Sequence, residues 1–124
     1  MKNYAAGHLE VRKKYQDHLV WLFAKINNFP RKQKFLLGER IGTTALDILN
    51  YLVTIQYAPK EEKARLIRGF NLKLEMLREL MRLAWRMNFL SHKTFLWQEA
   101  RIDEVGRMAH GVVFPKREDF SANR

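Results

Sequence analysis

Apolar residues recur along this chain at three- and four-residue steps in four separate stretches, the pattern a helix makes when one stripe of its surface is buried. In the first stretch Tyr4, Val11, Tyr15, Leu19, Leu22 and Ile26 predict a helix over about 4–27. Asn27, Asn28 and Pro30 interrupt it, because proline lacks the N–H of the helical ladder and pushes its predecessor out of helical geometry. After a basic connector, Arg31-Lys32-Gln33-Lys34, a second stripe of Leu37, Ile41, Ala45, Ile48, Leu52 and Ile55 predicts a helix over about 33–56, closed by Ala58-Pro59. Pro59 suits the first turn of a third helix, and Glu61-Glu62 complement the positive end of its dipole. The third helix is predicted over about 60–88 despite Gly69, a length of roughly 40 Å at 1.5 Å per residue, with Asn88 as its terminator. Ser91 reads as the N-cap of a fourth helix carrying Phe95, Ile102, Val105, Met108 and Ala109, which Gly111 and Pro115 end.

Four helices on short connections favour an all-α, antiparallel up-down four-helix bundle, since a short loop forces consecutive helices to run in opposite directions. The expected organisation is one domain over 1–114 and a flexible tail over 115–124, where periodicity is lost.

The third helix carries more apolar surface than a monomer needs. Leu72, Leu74, Met76, Leu77, Leu80, Met81, Leu83, Trp85 and Met87 spread over about 220° when projected at 100° per residue. A helix lying on one core needs roughly 100–140°. The surplus points to a second packing surface supplied by another subunit, and Leu77, Met81 and Trp85 are the candidate contacts of a closed homo-oligomer.

Composition narrows the class. The 124 residues are 47% hydrophobic, enough for a core, and their charge is strongly unbalanced, with 23 Lys and Arg against 13 Asp and Glu. A net charge of +10 attracts polyanions. No apolar run reaches the roughly 20 residues of a membrane span, and the charged first twenty residues lack the apolar centre of a signal peptide, so a cytoplasmic protein with no membrane partner is expected. The absence of Cys removes disulfides, thiolate metal sites and cysteine nucleophiles together.

Catalytic arrangements are missing. His8, His18, His92 and His110 show no ligand spacing, and Gly38, Gly42 and Gly69 match neither phosphate-loop nor dinucleotide fingerprints. Glu61-Glu62 serve the helix dipole, Asp103-Glu104 read as a solvated face, and Trp21, Trp85 and Trp97 read as core or interface anchors. The expectation is a protein that is not an enzyme, with no metal, no cofactor and no small-molecule substrate.

The basic residues carry the functional reading. Arg78, Arg82 and Arg86 stand at i, i+4 and i+8 on the third helix, the one sector that apolar packing leaves. Glu75 and Glu79 could pair with Arg78 and Arg82, which would make this an ordinary solvated face. Against that stand the use of Arg at all three positions and two further basic groups without acids, Arg12-Lys13-Lys14 and Arg31-Lys32-Lys34; arginine's planar fork suits phosphate or carboxylate.

Five stretches, in order, then carry a family resemblance: FPRKQKFLLGERI over 29–41, which includes Arg40, ALDIL over 45–49, LEMLRELMRLA over 74–84, LS at 90–91 and IDEVGRM over 102–108. The set resembles the accessory variability determinant (Avd) family of diversity-generating retroelements. The related ribosomal-RNA intervening-sequence proteins often show Asn-Ile-Ala-Glu-Gly in the second helix, and this chain has nothing like it after Ile41. The resemblance implies a barrel-shaped homopentamer of four-helix bundles with a basic surface for RNA and DNA. It also implies association with a reverse transcriptase during mutagenic copying and retrohoming. The alternative is an RNA-binding or structural bundle of the intervening-sequence type, unconnected with reverse transcription.

Overall fold

The computed structural model describes residues 2–115, with side chains from residue 5; the Tyr4 side chain and the expected tail from residue 116 lie outside the described residues. Four long helices make the fold, and no strand occurs among the described residues. Helix α1 is Lys2–Asn27. Helix α2 is a rod over 31–57: a single α-helical turn, Arg31–Gln33, a π-helical stretch, Lys34–Gly38, and α-helix again over Glu39–Tyr57. Helix α3, Lys63–Arg86, is entered through a 3-10 turn, Lys60–Glu62, behind Pro59, and α4 is His92–Val113.

Pairs across the seams give the topology. Ile26 lies at Gly38, Phe23 at Gly42, and the Tyr15 hydroxyl donates to the Ala45 carbonyl at 2.7 Å, so α1 and α2 are antiparallel. Tyr51 lies at Gly69 and Lys73 pairs with Asp47, so α2 and α3 are antiparallel too. Trp85 stacks on Phe95 and Arg78 pairs with Asp103 along α3 and α4, while His18 meets Gln98 and Lys14 meets Glu104 as α4 returns along α1. The result is the expected up-down-up-down bundle, closed by the α1–α4 seam.

The helix stops are chemical. Asn88 is at φ 68°, a left-handed conformation that asparagine tolerates. Around it Phe89 N–H donates to Ala84 O and Asn88 N–H to Trp85 O, each at 2.9 Å, which satisfies carbonyls that the end of α3 would otherwise orphan. Ser91 then caps α4, its Oγ accepting from Thr94 N–H at 3.1 Å, a contact worth about 1 kcal/mol. Gly111, expected to end α4, lies inside it, and the helix continues to Val113. Gly69 has a packing reason: a Cβ there would overlap the Tyr51 ring, so glycine lets Tyr51 lie against the α3 backbone.

Val11, Tyr15, Leu19, Leu22 and Ile26 of α1 and all six stripe residues of α2 are buried, as their spacing predicts. In α3 the assignment of faces needs correcting. Leu77 and Met81 are completely buried within the single chain, and Trp85 is half-buried, stacked on Phe95 and His92 at 5.0 Å. Core packing claims Leu77 and Met81, so those two do not form an outer surface, while Trp85 keeps part of its surface outside the core. The surplus apolar face is instead Leu72, Met76, Leu83 and Met87, all exposed. They fall within about 60° of one another at 100° per residue, well away from the core direction. Periodicity marked the excess but could not tell which part of it the other helices would cover.

A candidate nucleic-acid interface at one end of the bundle

The α1–α2 and α3–α4 connections lie side by side, because buried Phe29 from the first packs against Phe89 from the second with ring centroids 5.5 Å apart. That contact brings together basic residues far apart in sequence. Arg31, Lys32, Lys34 and Arg40 come from the start of α2, Arg86 from the end of α3, Lys93 from the first turn of α4 and Lys25 from the last turn of α1. Across 25–40 and 85–94 the only carboxylate is Glu39, so most of the chain's net charge sits on this end. Arg31, Lys32, Arg40, Arg86 and Lys93 are exposed, and none of them pairs with a carboxylate among the described residues. A cluster of unneutralised cations is the electrostatic footprint that condensed phosphates recognise.

Beside them the π-helical stretch presents Phe35 and Leu36 to solvent, 67% and 63% exposed, while Leu37 and Gly38 turn inward onto α1. A π-helical insertion inside an α-helix is uncommon and recurs at functional positions. Nothing in the residue spacing signalled it.

The other predicted basic residues behave differently. Arg12, Lys13 and Lys14 do not form a patch, since at 100° per residue consecutive side chains leave a helix in different directions. Arg12 donates to the Gln56 side chain on α2, Lys14 pairs with Glu104 on α4 at 3.1 Å, and Lys13 faces solvent. The arginine stripe of α3 is divided as well. Arg78 donates to Glu75 at 3.0 Å and to Asp103 of α4 at 2.7 Å, so its fork is occupied as a tie between two helices. Arg82 lies over the Phe95 ring at 5.4 Å with Glu79 4.0 Å away, and only Arg86 is unengaged. The solvated-face reading therefore fits Arg78, and the docking reading keeps Arg86 together with the end cluster.

Two features of the interior were not visible in sequence. His18 and Gln98 are both buried, and the His18 Nε2 lies 2.6 Å from Gln98 Oε1 between α1 and α4, leaving His18 Nδ1 and Gln98 Nε2 without hydrogen-bond partners. Burial pulls the His18 pKa down, against an upward pull from the Gln98 bond and with a further downward pull from Arg101, so the ring is neutral at pH 7. Burial, with the nearby charges of Lys63 and Arg12, takes His8 down to about 4. In α4, burial holds the Glu99 carboxyl above its ordinary range although Arg78 and Arg82 pull the other way. Among the described residues no group of three His, Asp or Glu could hold a metal ion, and no helix is long and apolar enough to cross a membrane.

The described residues thus form a four-helix bundle with an unpaired basic cluster on one end. The bAvd-like family matches residues 9–121, and the chain belongs to that family. No curated protein and no solved structure matches it.

Proposed function

We propose that this protein is the accessory factor of a diversity-generating retroelement, a non-catalytic oligomer that binds RNA or DNA together with the element's reverse transcriptase during mutagenic copying and retrohoming. Family membership over residues 9–121 carries the reading, and the unpaired basic end supports its nucleic-acid part. The exposed apolar stripe of α3, Leu72, Met76, Leu83 and Met87, supports assembly with further copies of the chain, five if the family's expected barrel is formed.

Binding of this kind draws most of its free energy from counterion release and tolerates sequence. The test titrates labelled single-stranded RNA against the full chain from 50 to about 200 mM salt, a range over which a handful of phosphate contacts costs roughly a hundredfold in affinity. Arg31→Glu, Lys32→Glu, Arg86→Glu and Lys93→Glu, combined, should abolish binding and reduce capture of the neighbouring reverse transcriptase, with oligomeric mass unchanged by native mass spectrometry. Affinity indifferent to salt, or a variant that still binds both partners fully, contradicts the proposal.

A further inference from the structure

Along the α1–α4 seam, leading away from the basic end, lies an aromatic and cationic track that the function above does not use. Trp21 of α1 and Trp97 of α4 meet with ring centroids 4.5 Å apart and tilted by 46°. His18 stacks on Trp21 at 5.4 Å and on Trp97 at 6.2 Å. Lys25 lies over the Trp21 ring at 5.8 Å and the Arg101 guanidinium over Trp97 at 4.9 Å. An ordinary core tryptophan would be covered, yet Trp97 is 39% exposed. It lines a pocket of about 300 Å³ with Lys14, Asp17, His18 and Arg101.

The pocket is more than a gap in the packing. Its wall includes His18, a side chain only 3% exposed whose Nδ1 has no hydrogen-bond partner. A buried polar atom left unpaired costs free energy unless something satisfies it. The charges around it are balanced: Lys14 and Arg101 share one carboxylate, Glu104, each at 3.1 Å, and Asp17 lies on the same wall, so a phosphate gains one of these cations by drawing it from Glu104 while the other keeps that partner. A flat ligand carried on an anionic backbone fits against the partly exposed Trp97 indole by taking the place of the Arg101 guanidinium, which then turns to the backbone phosphate.

We infer that this pocket holds an unpaired nucleobase, stacked on Trp97, of a single strand whose phosphates run from the basic end along Lys25 to Arg101 and Lys14. The inference rests on the nucleic-acid reading above and adds to it a place where the strand is gripped by its bases. Stacking on an aromatic side chain accepts every base, which suits sequence-tolerant binding. It also selects single strands over duplex, because a paired base cannot leave its stack without cost.

The experiment compares, by anisotropy with the full chain, a short single-stranded RNA and a strand of the same length and charge that lacks bases. Wild type should bind the base-bearing strand about tenfold more tightly. Trp97→Leu should lose that preference while keeping the salt dependence, and Trp97→Phe should retain most of it. A fluorescent purine placed in the strand should be quenched on binding wild type and not on binding Trp97→Leu. If Trp97→Leu disturbs the bundle by circular dichroism, the base-lacking strand against wild type and the Trp97→Phe variant decide the matter. Equal affinity of wild type for both strands, or a base preference that survives Trp97→Leu, overturns the stacking site yet leaves salt-dependent binding intact. Failure of wild type to bind either strand overturns both readings, and capture of a protein through Trp97 with no base preference would make the pocket a protein contact instead.

Discussion

The two seams α2–α3 and α1–α4 are built from the same helical geometry and use it differently. The α2–α3 seam is closed by Tyr51 lying on the backbone at Gly69, with the Lys73–Asp47 pair at its outer edge. The α1–α4 seam has a polar centre, His18 against Gln98, each with an unpaired polar atom, flanked by a partly exposed tryptophan pair. Apolar closure favours stability, whereas buried groups left partly unsatisfied mark a place where folding alone did not decide the residues. The contrast is between a seam closed by a ring lying on a backbone and a seam with a partly unsatisfied polar centre.

The largest expected effect comes from the core that both seams enclose. Leu77→Glu puts a carboxylate at a position with no exposure, so it should abolish the cooperative unfolding transition seen by circular dichroism, not merely dissociate an oligomer. Leu72→Glu, on the exposed stripe of the same helix, should leave the fold intact and lower the oligomeric mass. A folded Leu77→Glu subunit would mean that the faces of α3 are assigned the wrong way round.

Next come the polar centre and its apolar counterpart. Gln98→Leu alone leaves the buried His18 ring without its partner and should cost about 1–3 kcal/mol in urea unfolding. His18→Leu combined with Gln98→Leu should recover much of that loss, because removing both partners removes the unpaired groups. If the double variant is less stable than either single one, the pair is a net stabiliser and the contrast between the seams fails. On the other side, Gly69→Ala should lose about 1 kcal/mol although alanine is the better helix former, since its methyl must displace Tyr51. A gain in stability would mean that Tyr51 moves aside freely.

A pH effect belongs to α1. His8 and His18 have folded pKa values below the ordinary 6.5, so between that value and the folded one the unfolded chain binds more protons. Stability should therefore be full above about pH 6.5 and fall as pH drops toward 4, by at most roughly 1.4 kcal/mol per pH unit for each histidine. Urea midpoints at pH 7 and pH 4.5 measure it, and His8→Gln should flatten the slope. A midpoint indifferent to pH over this range would show that neither ring resists protonation.

The smallest effect separates two arginines of one stripe. Arg78→Ala removes the tie to Asp103 and should cost about 0.5–1 kcal/mol, while Arg86→Ala should change stability by less than about 0.5 kcal/mol and weaken RNA binding. Equal stability losses would return both residues to a single role.

Much of this protein was determined locally and was legible as such. Stripes such as Ile41, Ala45, Ile48, Leu52 and Ile55 define a helix whatever it packs against, because 3.6 residues per turn places them on one side. Pro30, Pro59, Asn88 and Ser91 act within a few bonds of their own backbone, so the stops and the α4 cap could be read directly, as could the net charge. The choice among faces was not local. Leu77 and Leu72 are both apolar residues on one helix, and only the position of the neighbouring helices buries the first and exposes the second. The site was even less local: Arg31 and Arg86 share an end because Phe29 meets Phe89, and His18 meets Gln98 across eighty residues. A sequence specifies which side chains a helix offers, while the partner of each is set by where the chain returns, and that is a property of the packed bundle alone.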